Sequence, residues 1–177
     1  AKFEKGENII ITQGFIGSSS ELFTTTLGRE GSDFSAGILA YCLNAESVTI
    51  WKDVPGMLNA DPKWFDDTEK LNNISYHEAV ELAYYGASVI HPKTIKPLHN
   101  KNIPLFVKSF VNPNEDGTII DENSSKDSLI PSFIFKMNQV LISISAKDYS
   151  FIMEDNLSHI FGLFSEKGVK INLMQNS

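Results

Sequence analysis

An α/β layer fold with a largely parallel sheet is what this sequence predicts, and three observations carry the prediction. Short apolar runs alternate with segments of helical periodicity, glycine- or proline-rich loops follow the runs, and turn residues separate each element from the next. Ligands in such folds gather in the loops beyond the carboxyl ends of the strands. Two loops of this chain follow strands directly.

The first apolar run, Asn8 to Thr12 with three consecutive isoleucines, reads as a strand entering a loop at Gly14 and Gly17. Hydroxyl-rich residues from Ser18 to Thr26 continue that loop. From Phe34 to Leu43 apolar residues cover every side of the helical wheel, which predicts a helix buried on all faces, with Cys42 packed inside it and Asn44 ending it. Ser47 to Trp51 reads as a buried strand, and Lys52 to Asp67, with Pro55, Gly56 and Pro62, as a long loop.

Ser75 and Glu78 form a capping box, after which Tyr76, Ala79, Val80, Ala83 and Ala87 fall at helical spacing until Gly86. A short helix starts at Pro92, and Ile103 to Phe110 returns to strand. From Asn112 to Pro131 the composition turns to Asn, Pro, Gly, Asp, Glu and Ser, which marks a boundary between domains. Beyond it Gln139 to Ser145 alternates as a half-buried strand, Asn156 to Lys167 places Leu157, Ile160, Phe161 and Phe164 on one helical face, and Val169 to Met174 alternates again.

Composition excludes several classes. With 177 residues, 42% hydrophobic and 21% charged, the chain is an ordinary globular sequence long enough for one domain and part of another. A net charge of −7 without a Lys/Arg cluster argues against nucleic acid as a partner. The single cysteine cannot close an internal disulfide, and no apolar run has the length of a membrane span or a secretory signal, so a cytoplasmic location without membrane attachment is expected. Ala1 in place of an initiator methionine points to a piece of a longer protein.

The densest chemistry lies between Thr24 and Gly37, where three threonines, spaced glycines, Arg29 and Asp33 lie around the start of a helix beginning near Asp33. Glycines bring backbone N–H groups close to a ligand, and a helix start adds unpaired donors and the positive end of its dipole. Such a loop can hold a phosphate or a carboxylate. It matches neither the P-loop nor the Gly-x-Gly-x-x-Gly pattern, so a turn in which Ser32 caps the helix accounts equally well for the local pattern.

In this order the residues resemble the aspartokinase family, which phosphorylates the side-chain carboxylate of aspartate with ATP. Four motifs carry the likeness: Thr25 to Asp33 (Thr-Thr-Leu-Gly-Arg-Glu-Gly-Ser-Asp), Asp53 to Gly56 with Ala60 to Pro62, Gly86 to Pro92 (Gly-Ala-Ser-Val-Ile-His-Pro), and Gly117 to Ile120. The resemblance implies an amino-acid-kinase-like three-layer α/β/α sandwich, present in part over residues 1–120. A linker over 121–131 then leads to an incomplete ferredoxin-like βαβ unit of an ACT regulatory domain over 132–177.

It also implies roles. Arg29 is expected to grip the substrate α-carboxylate, with Glu30, Gly31 and Ser32 completing the aspartate-binding loop and Asp33 orienting the family's catalytic lysine; a guanidinium fork suits a carboxylate. Lys52, Asp53, Leu58, Lys63, Ser88 and Val89 are expected on the nucleotide side. Three of these depart from the family, which often has threonine, tyrosine and arginine where this chain has Lys52, Leu58 and Lys63. Ser88 stands where many members have a phosphate-binding lysine, so compensation by Lys52 or Lys93 depends on geometry. His91 reads as a helix-entry residue, and no histidine has metal-ligand spacing.

The implied reaction is phosphoryl transfer from ATP, accompanied by Mg²⁺ held mostly on phosphate oxygens, to give 4-phospho-aspartate, the first step towards lysine, threonine and methionine. Gln175 and Asn176 align with a strand end that contacts an amino-acid effector, threonine or lysine, and ACT pairing implies a homo-oligomer. The parent is either monofunctional or fused to homoserine dehydrogenase. The family's Lys-Phe-Gly-Gly strand and substrate-amine glutamate do not occur in these residues, so the piece alone is expected to lack turnover. Competing readings are a non-catalytic amino-acid-binding module and another carboxylate or carbamate kinase.

Overall fold

The computed structural model describes residues 9–85, 89–127, 129–147 and 154–175. They fall in two compact units, Ala1–Met137 and Asn138–Ser177.

The first unit is organised by a mixed sheet of β3 (Val48–Lys52), β4 (Asn73–Ser75), β5 (Leu105–Ser109) and β6 (Thr118–Asp121), in the order β3-β5-β6-β4. Before it in the chain come a short antiparallel hairpin of β1 (Ile16–Ser18) and β2 (Thr24–Thr26) and the helix α1 (Gly31–Leu43); α2 (Tyr76–Tyr85) and α3 (Pro92–His99) follow β4. β3 pairs parallel with β5 and β4 parallel with β6, while β5 and β6, joined by a short connection, run antiparallel.

Register decides which residues meet. Val48 lies opposite Leu105, Ile50 opposite Val107, Lys52 opposite Ser109, Leu105 opposite Ile120 and Ile120 opposite Ile74. Because side chains alternate along a strand, these residues share one face of the sheet. The apolar ones, Val48, Ile50, Ile74, Leu105, Val107 and Ile120, form a single core with Ala40 of α1, Ala79 and Leu82 of α2, and Ile95 and Leu98 of α3. The opposite face carries Thr49 and Trp51, both exposed.

Several expectations need correction. Asn8 lies outside the described residues, and 9–12 are not a strand: Ile9 and Ile11 are exposed, and an apolar run becomes a strand only when another strand meets its N–H and C=O groups. The helix α1 forms where periodicity put it, and Asn44 caps it in the left-handed conformation at φ 50. Its burial is one-sided, however, with only Gly31, Gly37 and Ala40 buried, while Ile38, Leu39, Leu43 and Cys42 are exposed. Apolar content all round a helix does not require neighbours all round it.

The capping box at α2 is half present. Ser75 Oγ accepts from the Glu78 N–H at 3.0 Å, but the Ser75 N–H donates to Asp127 Oδ1 at 2.8 Å, and the Glu78 carboxylate accepts from Ser132 instead. The segment read as a boundary thus contains β6 and ties to α2. The expected end of α2 at Gly86, with Ala87, lies outside the described residues.

In the second unit α4 (Glu154–Glu166) forms, and Gly168 at φ 65 follows it. Residues 139–145 and 169–174 are not strands among the described residues, with Val140, Leu141 and Leu173 strongly exposed. Asn172 Nδ2 donates to Gln139 Oε1 at 2.6 Å, a side-chain bridge rather than a backbone ladder. Alternation alone supplies no partner strand.

Candidate active site

The first turn of α1 meets the end of β3. Lys52 shares the core-facing side of β3 with Val48 and Ile50, and α1 packs on that side, so a long side chain at the strand's carboxyl end reaches the start of the helix. Lys52 Nζ donates to Asp33 Oδ2 at 2.6 Å, with side chains only 22% and 13% exposed. This charge-assisted bond is shielded enough from water to fix both groups.

The loop entering α1 is held in an unusual backbone state. Gly28 has φ 78, and Glu30, the N-cap, has φ 55 without a side-chain cap bond. Left-handed conformation at a non-glycine residue stores strain, which often marks a functional loop. Ser32 is exposed and is not the cap, so the capped-turn reading fails. Gly31 is buried, and a Cβ there would lie 2.8 Å from Phe15 Cδ2 and 3.0 Å from Leu27 Cβ.

Ser35, which the sequence reading did not single out, locks this arrangement: its Oγ accepts from the Phe15 N–H at 3.0 Å and donates to Gly31 O at 2.9 Å. The Gly31 N–H donates to Gly28 O and the Phe34 N–H to Glu30 O. The N–H groups of Ser32 and Asp33 have no protein acceptor among the described residues, which leaves two donors at the positive end of the helix.

Arg29 is 74% exposed, its Nε 3.8 Å from Glu30 Oε1. Glu30 Oε2 is buried without a hydrogen-bond partner among the described residues. One loop therefore offers an extended guanidinium, two free N–H groups and an unsatisfied carboxylate oxygen. That combination suits a zwitterion: carboxylate to Arg29 and the N–H groups, ammonium to Glu30.

The remaining expected residues spread along the β3–β4 loop and beyond. Asp53 is exposed beside Lys52; Leu58 is half-buried and bridges to Lys70; Lys63 is exposed, its N–H donating to Asp61 Oδ1 at 2.9 Å. Val89 packs against the core, and Ser88 lies outside the described residues. Among the described residues of this set, Lys52 alone is joined directly to the Arg29–Asp33 loop. His91 is the N-cap of α3, its Nδ1 accepting from the Lys93 N–H at 3.1 Å, as its helix-entry reading required. In the second unit Gln175 is exposed, and Asn176 lies outside the described residues.

The β3–β4 loop is anchored by Thr118, which the sequence reading placed in the Gly117–Ile120 motif without giving it a role of its own. Thr118 Oγ1 accepts from the Met57 N–H at 2.8 Å and donates to Leu71 O at 2.6 Å, closing the two ends of the loop over β6. Gly56, at φ 143, lies so near that a Cβ would come within 2.5 Å of the same oxygen.

The chain is similar to proteins of one known family. The sequence profile of the Amino acid kinase family matches residues 2–109. Lysine-sensitive aspartokinase 3 of Escherichia coli is 36% identical over 97% of this chain and 38% of its own length. The bifunctional aspartokinase/homoserine dehydrogenase of Haemophilus influenzae is 37% identical over 97% of this chain and 21% of its own. Among solved structures, E. coli aspartokinase III in complex with aspartate and ADP superposes with a TM-score of 0.74 at 32% identity, covering 98% of this chain and 39% of that one. The chain spans well under half the length of each of these relatives.

Proposed function

Because the chain belongs to the amino acid kinase family, we propose that the protein carrying it is an aspartate kinase, transferring the γ-phosphoryl group of ATP to the side-chain carboxylate of aspartate. The observation that carries the reading is the Asp33–Lys52 pair, 2.6 Å across, beside a loop built for an amino-acid zwitterion. The relatives' names and the aspartate and ADP of the similar structure support the same substrates.

In this reading Arg29 and the N–H groups of Ser32 and Asp33 hold the α-carboxylate, Glu30 takes the ammonium, and Gly31 lets the chain come close. The substrate's side-chain carboxylate then attacks the γ-phosphorus; an O–P bond forms, the bond to the β–γ bridging oxygen breaks, and ADP leaves. Charge accumulates on phosphoryl oxygens, so a positioned cation lowers the barrier. Lys52 supplies that cation, and Asp33 keeps its ammonium aimed. In this reading the positive charge that a serine at position 88 does not supply comes from the end of β3.

Asp53, Leu58, Lys63, Ser88 and Val89 form the nucleotide side, with Lys63 a point charge rather than a fork. Mg²⁺ fits the donor set: it binds through one or two carboxylates plus phosphates, and Asp53 is an exposed carboxylate next to Lys52. When bound it neutralises phosphate charge.

The second unit is read as the start of an ACT domain, with Gln175 and Asn176 facing a threonine or lysine effector and oligomers formed through ACT pairing. The relative called lysine-sensitive favours regulation by an end-product amino acid. A cytoplasmic setting fits a biosynthetic kinase, and no described helix is long and apolar enough to cross a membrane. The test is the full-length protein with ATP and aspartate, following ADP and trapping the acyl phosphate with hydroxylamine. Aspartate-dependent formation of both is expected; ADP release indifferent to aspartate contradicts the reading.

A further inference from the structure

The β3–β4 loop is fastened through one buried side chain that no family motif used above contains. Asn59 makes four hydrogen bonds. Its N–H donates to Glu69 O at 2.9 Å and its C=O accepts from the Phe133 N–H at 2.6 Å, while its side-chain Oδ1 accepts from the Glu69 N–H at 2.8 Å and Nδ2 donates to Pro131 O at 3.3 Å. Asn59 and Glu69 are 10 residues apart, so these bonds close a lasso in the loop. The other two bind the lasso to a strap at 131–133.

Lys63 lies inside that lasso. On either side of it the ring is pinned: Asp61 Oδ1 accepts from the Lys63 N–H, while Trp64 stacks on Phe135 at 5.4 Å and Phe65 on Phe133 at 6.0 Å between ring centroids. The strap that Asn59 grips bears Phe133, which meets Phe65, and Phe135, two residues further along, meets Trp64. Segments of this length without regular structure sample many conformations unless closed. An amide suits the closure because it donates and accepts in one plane; a carboxylate would face the Pro131 carbonyl with no proton to offer.

We propose that Asn59 is a positioning residue for the nucleotide side of the site, fixing the loop that carries Lys63 by closing it on Glu69 and strapping it to Pro131 and Phe133. The inference rests on the aspartate-kinase reading above. Asn59 acts through Lys63 and the loop backbone and touches neither substrate nor nucleotide. Its loss therefore weakens nucleotide use selectively, because the Arg29–Asp33 loop is built on other contacts.

The experiment is steady-state kinetics of the full-length protein bearing Asn59→Ala and, separately, Asn59→Asp, with ATP and aspartate varied independently. Asn59→Ala is expected to raise KM for ATP about tenfold, with KM for aspartate held within about twofold. Asn59→Asp keeps the acceptor for Glu69 and loses the donor to Pro131, so a smaller rise in the same direction is expected; it carries the test if the alanine variant does not fold. A merely structural role lowers the active fraction and leaves both KM values alone. An unchanged KM for ATP, or equal shifts in both KM values, overturns the inference while wild-type turnover leaves the kinase reading standing. Wild-type protein without aspartate-dependent turnover overturns both.

Discussion

Asp33 and Lys52 lie 19 residues apart in sequence and 2.6 Å apart in space, joining the first turn of α1 to the last residue of β3. The contact follows from two periodicities. Lys52 lies on the same face of β3 as Val48 and Ile50, and α1 covers that face with its N-terminus at the strand's carboxyl end. If the two groups act as a unit, Asp33→Asn and Lys52→Met each lower kcat of the full-length protein about 100-fold. Combining them is expected to add little to the worse single loss, since units of this kind are non-additive. Steady-state kinetics of the four proteins checks it.

Arg29 is exposed and makes one long contact, so its value lies in what it offers a ligand. Arg29→Lys keeps the charge and gives up the fork that matches a carboxylate. An increase of about tenfold in KM for aspartate, with kcat and KM for ATP little changed, is expected from initial-rate measurements.

Thr118 is buried and serves both ends of the β3–β4 loop through one hydroxyl. Thr118→Val preserves shape and removes both bonds, leaving the Met57 N–H and Leu71 C=O without their partner. A loss of about 2 kcal/mol is expected, with faster amide hydrogen exchange at Met57 as the local signature.

Tyr76 provides the pH dependence. Its hydroxyl donates to Ile103 O at 2.7 Å, and burial first, then the charges of Asp121 and Glu122, push its pKa from 10.0 up to about 12. The folded state thus holds the proton more tightly than the unfolded chain. Its contribution is complete below pH 10 and is lost as pH rises towards 12. Comparing unfolding midpoints of wild type and Tyr76→Phe across that interval should show a steeper decline in wild type.

Elements marked by their own residues were legible: α1 with its Asn44 cap, the Pro92 start of α3, and the apolar runs of β3 and β5. What failed depended on a partner. Asn8 to Thr12, Gln139 to Ser145 and Val169 to Met174 have strand patterning, but patterning cannot show whether another strand meets the backbone. The site was legible to the extent that it is contiguous, from Arg29 to Asp33. The Lys52–Asp33 bond, the Ser35 lock, the Thr118 clamp and the Asn59 node each join residues far apart in sequence, and no spacing rule reveals them. Ser75 shows the converse, a local motif of which one half was taken by distant Asp127.

In the proposed mechanism Lys52, held by Asp33, meets the transferred phosphate. Calorimetry of a non-hydrolysable ATP analogue and of aspartate on full-length wild type and Lys52→Met tests it most directly. A loss of about tenfold or more in analogue affinity is expected, with aspartate affinity within about twofold of wild type. Analogue affinity unchanged in Lys52→Met would contradict it.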